Sequence, residues 1–164
     1  MIRLIAAVSK NGVIGQGNDL IFRDKEDMKH FRETTEGGVV AMGFNTWESI
    51  GSKPLPNREN WIFTKDPDKG MNIIDNDNYV VFVAPDVEDF IQDCKLDKED
   101  VFFIGGGKIY ETVIPHADEL IISEFHEEAE GDTFFPEIDS KIWILSKSKE
   151  FTNFTLKIYK RRKL

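Results

Sequence analysis

Val101-Phe102-Phe103-Ile104-Gly105-Gly106-Gly107-Lys108-Ile109-Tyr110-Glu111 commits this chain to an α/β architecture. Four apolar residues run without alternation into three glycines, and Lys108 to Ile114 then reads as a helix stopped by Pro115. An unalternating apolar run suits a strand covered on both faces, as in the middle of a parallel sheet. Glycine at the strand-to-helix turn lets backbone amides approach a phosphate or pyrophosphate; a tight structural turn is the competing reading. The stretch is not a Walker P-loop, because Ile109 stands where Ser or Thr would follow the lysine, and it lacks the GxGxxG spacing.

Outward from these residues the theme repeats. Ile2 to Ser9 is apolar on both alternating faces, and Val39 to Met42 is a second buried strand. Gly43 leads into a short helix near Thr46, with Asn45 as its N-cap and Glu48 three residues on. Trp61 to Thr64 and Tyr79 to Ala84 read as further strands, the second followed by a helix that Asp86 caps and that runs to about Cys94. Lys10 to Asp24 carries Gly12, Gly15 and Gly17 and reads as a mobile loop. Asp24 then caps a helix to about Thr35, ended by Gly37 and Gly38. Pro54, Pro56 and Asn57 make a turn, and Lys65 to Asn78 is mostly loop. Glu119 to Phe125, Ile142 to Lys149 and Phe154 to Lys160 alternate as antiparallel strands do. The sum is a mixed sheet with helices on both faces.

A length of 164 residues with 40% hydrophobic content supports one well-buried core and a single domain. Thirty acids against 21 bases give a net charge of −9, which argues against nucleic-acid binding because such proteins carry a basic footprint. The lone Cys94 allows no intrachain disulfide and no cysteine zinc site, so a reduced, cytoplasmic setting is expected. The start, MIRLIAAVSKNGVIG, has neither a cleavage pattern nor a membrane-length run, and no membrane association is expected.

One acid stands apart. Asp27 lies in the first turn of the predicted helix, beside Met28 and four residues before Phe31, so it shares a face that is otherwise apolar. Its bland reading is a charge complementing the helix dipole, which suffices for Glu26. Desolvation on the apolar face would raise the Asp27 pKa and make it a proton-linked ligand anchor. The acids and histidine from Glu124 to Asp132 scatter over both strand faces and a loop, and read as a solvated face with no metal site. His30, His116 and His126 have no GxSxG-like partner for a nucleophilic triad. Lys160 to Lys163 reads as charge protecting an edge strand or tail.

Five stretches together, MIRLIAAVSKNGVIG, DMKHF, VVAMGFNTWESIGSKPLPNREN, VFFIGGGKIYE and EGDTFFP, resemble the dihydrofolate reductase family in order and spacing. The resemblance implies a single domain over residues 1–164, with a mixed, mostly parallel eight-stranded sheet flanked by about four helices. It implies hydride transfer from NADPH to 7,8-dihydrofolate, with Asp27, Leu20 and Phe22 as the catalytic residues, Asp27 being the pterin anchor and Leu20 also part of the apolar wall. Ile5, Ala6, Ala7, Met28, Phe31, Ile50 and Leu55 match the apolar walls, Ser123 the hydroxyl that supports the acid, and Arg58 the partner of the glutamate-tail carboxylate. On the cofactor side it implies Ala7, Ile14, Ile104 and Tyr110 near the nicotinamide and Gly105–Gly106 as a cis pair continuing through Gly107, Lys108 and Ile109. Gly43 and Thr46 would lie by the pyrophosphate, and Asp132 would hold the 10–24 loop closed. A monomer without an obligate protein partner is expected, because no surplus amphipathic segment asks for one.

Two departures stand out. Ile21 and Phe22 occupy positions where the family often has Pro and Trp, so the indole donor to an ordered water is absent. After Gly43 the family often has a basic residue for the 2′-phosphate of the cofactor, and here Phe44 and Asn45 follow. Lys65, with Thr64 before it, is the replacement, and it brings a point charge in place of a fork. NADPH stays favoured over NADH. Two readings compete with a folate reductase: a binding homologue with little catalysis, and a reductase acting on a pyrimidine intermediate of riboflavin synthesis.

Overall fold

The unalternating apolar runs form the middle of one sheet. The structure is a computed structural model that describes residues 1–16, 19–66, 68, 79–83, 87–92 and 100–163. Its strands are β1 (Ile2–Val8), β2 (Val13–Gln16), β3 (Asp19–Leu20), β4 (Val39–Gly43), β5 (Glu59–Thr64), β6 (Tyr79–Val83), β7 (Val101–Phe103), β8 (Glu119–Phe125), β9 (Thr133–Phe134), β10 (Trp143–Glu150) and β11 (Phe154–Arg161). The helices among the described residues are α1 (Lys25–Thr35), α2 (Phe44–Ser49), α3 (Val87–Gln92) and α4 (Gly107–Val113), with a 3-10 turn at Ile114–His116.

Eight strands make the main sheet in the order β10-β11-β8-β1-β7-β4-β5-β6. Every pairing from β8 to β6 is parallel, and only β10, β11 and β8 pair antiparallel. The mixed, mostly parallel eight-stranded sheet is therefore as expected. Strand periodicity divides the core in two. Leu4, Ala6 and Val8 face a layer covered by Ile91 of α3 and by Ile109, Tyr110 and Val113 of α4. Ile5 and Ala7 face the opposite layer, with Phe31 of α1 and Trp47 of α2.

Three expectations are corrected. The 10–24 segment is not wholly loop: β2 pairs antiparallel with both β3 and β9 in a separate three-stranded sheet. Gly43, in extended conformation, is the N-cap residue of α2 without a side-chain cap bond; Asn45 lies exposed inside the first turn because the helix starts at once where β4 ends. The basic end does not guard an edge. β11 lies inside the sheet and β10 forms its edge, while Arg161 donates from Nε to the Ala117 carbonyl and from Nη2 to the Ile114 and Pro115 carbonyls, each at 3.0 Å. The predicted cap Asp86, the helix end at Cys94 and nearly all of 67–78 lie outside the described residues. Among the described residues no helix is long and apolar enough to cross a membrane.

Candidate active site

The N-terminus of α1 is held from outside itself. Asp24 accepts the Asp27 backbone N–H at 3.0 Å as a helix cap, and Asn153, beyond β10, donates to the other Asp24 oxygen at 2.8 Å. That fixes the turn on which Asp27 sits. Alternation along β8 turns Ser123 to the same face as Ile121 and Phe125, directly across from Ala7 of β1. Ser123 Oγ there donates to Asp27 Oδ1 at 2.6 Å. Burial pushes the Asp27 carboxyl above the usual carboxylate range, against the opposing pull of the Ser123 hydrogen bond and of His30. His30, one turn along the helix, is itself shifted down by burial; its Nδ1 meets Thr34 Oγ1 at 3.3 Å, and its Nε2 is buried without a hydrogen-bond partner among the described residues.

Around the acid the surface is aromatic and aliphatic. Phe22 stacks on Phe125 with ring centroids 4.0 Å apart and planes within 6°, and Phe125 continues to Phe154 and Phe151. Ile5 is buried in this layer, and Ala7, Phe31, Phe44, Ile50, Leu55 and Ile104 pack half-buried against it. Most of the expected wall thus shares one side of the sheet with Asp27. Two members, Ala6 and Met28, do not follow. The side chain of Ala6 points to the opposite layer because neighbouring strand residues alternate faces. Met28 is 61% exposed, and Leu20 is described in its backbone only.

Arg58 occupies the other end of this side. Its Nε donates to the Pro56 carbonyl at 2.9 Å and its Nη1 to Thr35 Oγ1 at 3.0 Å, and burial lowers its pKa against the attraction of Glu36. Asn60, fully buried in β5, hydrogen-bonds the backbone of Leu55 and Arg58. Arg58 also borders a groove of about 580 Å³ that carries Glu36, Glu59 and Asp100 and does not include Asp27. Three carboxylates make that groove a poor place for a second anion.

The glycine stretch meets α2 edge on. Gly43 N–H donates to the Gly105 carbonyl at 2.9 Å, which joins the end of β4 to the turn after β7. The Gly105–Gly106 peptide is cis, and Gly105 has φ +124°. A Cβ on Gly105 would lie 3.3 Å from Tyr110 Oη, one on Gly106 3.5 Å from Thr46 Oγ1, and one on Gly107 2.5 Å from Thr133 Cγ2 with Ile14 at 3.9 Å. Glycine therefore lets this turn pack directly against Tyr110, Thr46 and Thr133 where a side chain would crowd or collide. Tyr110 is buried, donates to the Ile5 carbonyl at 2.6 Å, and has its phenol pKa pushed far up by burial. Ile109 is buried and Lys108 exposed. Asp132 N–H donates to the Gly15 carbonyl at 3.2 Å, so its segment ties down β2 through backbone. At the far end of β5, Lys65 is exposed and the Thr64 hydroxyl accepts the Asp66 N–H at 3.1 Å.

The result is one half-buried carboxylate in an apolar wall, a guanidinium at one end, and a glycine turn packed against Thr46, Tyr110 and Thr133. Such a site can orient a flat, proton-accepting ring with an anionic tail against a second flat ligand. Among the described residues no group of His, Cys, Asp and Glu could hold a metal ion. Three polar residues escaped sequence reasoning: Thr35, Asn60 and Asn153. Asn60 directly precedes the apolar stretch that reads as the strand from Trp61, where a polar residue passes for the end of a turn.

The geometry has close counterparts. A family model described as dihydrofolate reductase matches residues 1–161. The dihydrofolate reductase of Bacillus subtilis is 36% identical over 155 residues, covering 93% of this chain and 85% of that protein. That of Ureaplasma parvum is 33% identical over 163 residues and 99% of both. A solved dihydrofolate reductase from Enterococcus faecalis, complexed with NADP(H) and RAB-propyl, superposes with a TM-score of 0.85 at 29% identity, covering 99% of this chain and 97% of the other. With the family match running through all five motif stretches and the folds superposing end to end, the chain belongs to the dihydrofolate reductase family.

Proposed function

We propose that this chain reduces 7,8-dihydrofolate to tetrahydrofolate with NADPH, and that Asp27 is the residue on which the reaction turns. The observation that carries this is the Asp27 carboxylate, hydrogen-bonded to Ser123 on a face otherwise built of Ile5, Ala7, Phe31 and Phe22. A negative charge there stabilises the positive charge that develops on a pterin as its ring nitrogen takes a proton. Its raised pKa brings the carboxyl nearer to sharing a proton with the bound ring. Ser123 holds one carboxylate oxygen and leaves the other for the ligand. Phe31, Ile50 and Leu55 exclude water from the rings, and Arg58 takes the tail carboxylate.

NADPH, when bound, supplies the hydride. The turn at Gly105, Gly106 and Gly107 fits such a cofactor, because Gly106 caps α4 without a side-chain bond and a phosphate can take that place at the first amides of the helix. In this reading Ile14, Ala7, Ile104 and Tyr110 lie by the nicotinamide. Gly43 and Thr46, with the start of α4 at Lys108 and Ile109, take the pyrophosphate, and Lys65 with Thr64 takes the 2′-phosphate. Phe44 packs on the apolar layer and Asn45 carries no charge, so neither replaces the lysine. The single Cys94 suits a cytoplasmic enzyme.

Spectrophotometric loss of NADPH on addition of dihydrofolate tests the activity directly. Asp27→Asn keeps an acceptor for Ser123 while removing the charge, and turnover at neutral pH is expected to fall by at least about a hundredfold. Near-unchanged turnover would remove Asp27 from the reaction.

A further inference from the structure

Asn60 and Thr35 are both fully buried, at 0% exposure, and both are polar. Neither side chain is open to solvent or to a ligand. Instead Asn60 commits its whole amide to one loop: Oδ1 accepts the Leu55 N–H at 2.9 Å, and Nδ2 donates to the Leu55 and Arg58 carbonyls at 3.0 and 3.1 Å. Thr35 Oγ1 donates to the Phe31 carbonyl at 2.8 Å and accepts from Arg58 Nη1 at 3.0 Å. Since Arg58 Nε is bound to the Pro56 carbonyl, two edges of the guanidinium are fixed by protein atoms.

We infer that Asn60 and Thr35 are positioning residues that lock Arg58 so that its Nη1–Nη2 end, and no other edge, is offered to the substrate carboxylate. The guanidinium has five N–H donors in a rigid fork, and the Nε and Nη1 bonds use one on each of those nitrogens. Three N–H groups are left, one on Nη1 and two on Nη2, and with Nε taken only the Nη1–Nη2 end can meet a carboxylate by two parallel bonds. A free arginine loses rotamer freedom when it makes such a pair, and the buried bonds impose that order before the substrate arrives. Asn60 does this through the backbone that carries Arg58, Thr35 through the side chain. The inference rests on the reading of Arg58 as tail anchor.

The test compares two substrates, dihydrofolate and 7,8-dihydropterin, which has no benzoylglutamate, with Arg58→Ala, Thr35→Val and Asn60→Ala. Thr35→Val is near-isosteric and is expected to raise KM for dihydrofolate about tenfold. Its kcat, its NADPH Kd and its kcat/KM for dihydropterin should stay within about twofold of the parent. Asn60→Ala should show the same selective loss; should it fail to fold, Thr35→Val decides alone. Equal losses on both substrates, or none, while Arg58→Ala loses only the tail-bearing one, overturn the positioning role. An Arg58→Ala variant with no preference between the substrates overturns the anchor itself.

Discussion

Asp27 bears a cost that its function requires. Because burial raises its pKa in the folded protein, the unfolded chain gives up the proton first as pH rises, and the folded state is progressively disfavoured between the two values. Below the unfolded value of about 4 both states are protonated and the penalty vanishes. Asp27→Asn, crippled in turnover, should therefore melt at a higher temperature than the parent at pH 7, with the difference shrinking toward pH 3. A Tm difference independent of pH would mean that the carboxylate is not under strain. Lys65 is exposed and singly charged, so Lys65→Ala should weaken NADPH about tenfold and NADH hardly at all, as read from Kd for each. Equal losses would assign the 2′-phosphate elsewhere. Asp27 was legible from its neighbours alone, whereas Ser123 needed the family resemblance, because only the β1–β8 register brings it within reach.

Elements were legible where local chemistry sets their ends. Asp24 and the Gly37–Gly38 pair bracket α1, and the structure has it at Lys25–Thr35. They were illegible where a distant partner decides. β2 exists as a strand because Val13 and Gly15 find Phe134 and Thr133 on β9, and no periodicity in a glycine-rich segment announces a partner that far along the chain. Asn45 looked like a cap for the same reason: nothing local says that β4 runs directly into α2. The β2–β9 pairing depends on one close approach. A Cβ on Gly131 would collide with the Gly15 carbonyl oxygen and with Val13 Cγ1, and backbone cannot step aside as a side chain can. Gly131→Ala should push β9 off β2, cost about 1–3 kcal/mol in stability and weaken NADPH, since Gly107 abuts Thr133 of β9. Denaturant unfolding and cofactor titration read both effects; an unchanged affinity would separate this small sheet from the cofactor site.

At the scale of the whole molecule, the strand order was beyond sequence reasoning, though strand type was not: runs such as Val39–Met42 declared their burial, but not which neighbours would bury them. Charge is legible at this scale and has a kinetic meaning. A net charge of −9 faces two anionic ligands, so their encounter is opposed at long range and favoured only close to Arg58 and Lys65. The association rate of NADPH should accordingly rise as salt is added from about 10 to 150 mM, which stopped-flow fluorescence can follow; a falling rate would mean that local basic groups dominate the approach. Helix α1 also acts over distance. One end is pinned through Asp24 to Asn153 and through Asp27 to Ser123, the other through Thr35 to Arg58. Between Asp27 and Thr35 the helix rises about 12 Å, so it works as a ruler. Deleting one residue would swing one end about 100° around the axis while leaving every contact partner in the sequence. The number of residues in that helix fixes how far the Asp27 carboxylate stands from the Thr35–Arg58 pair.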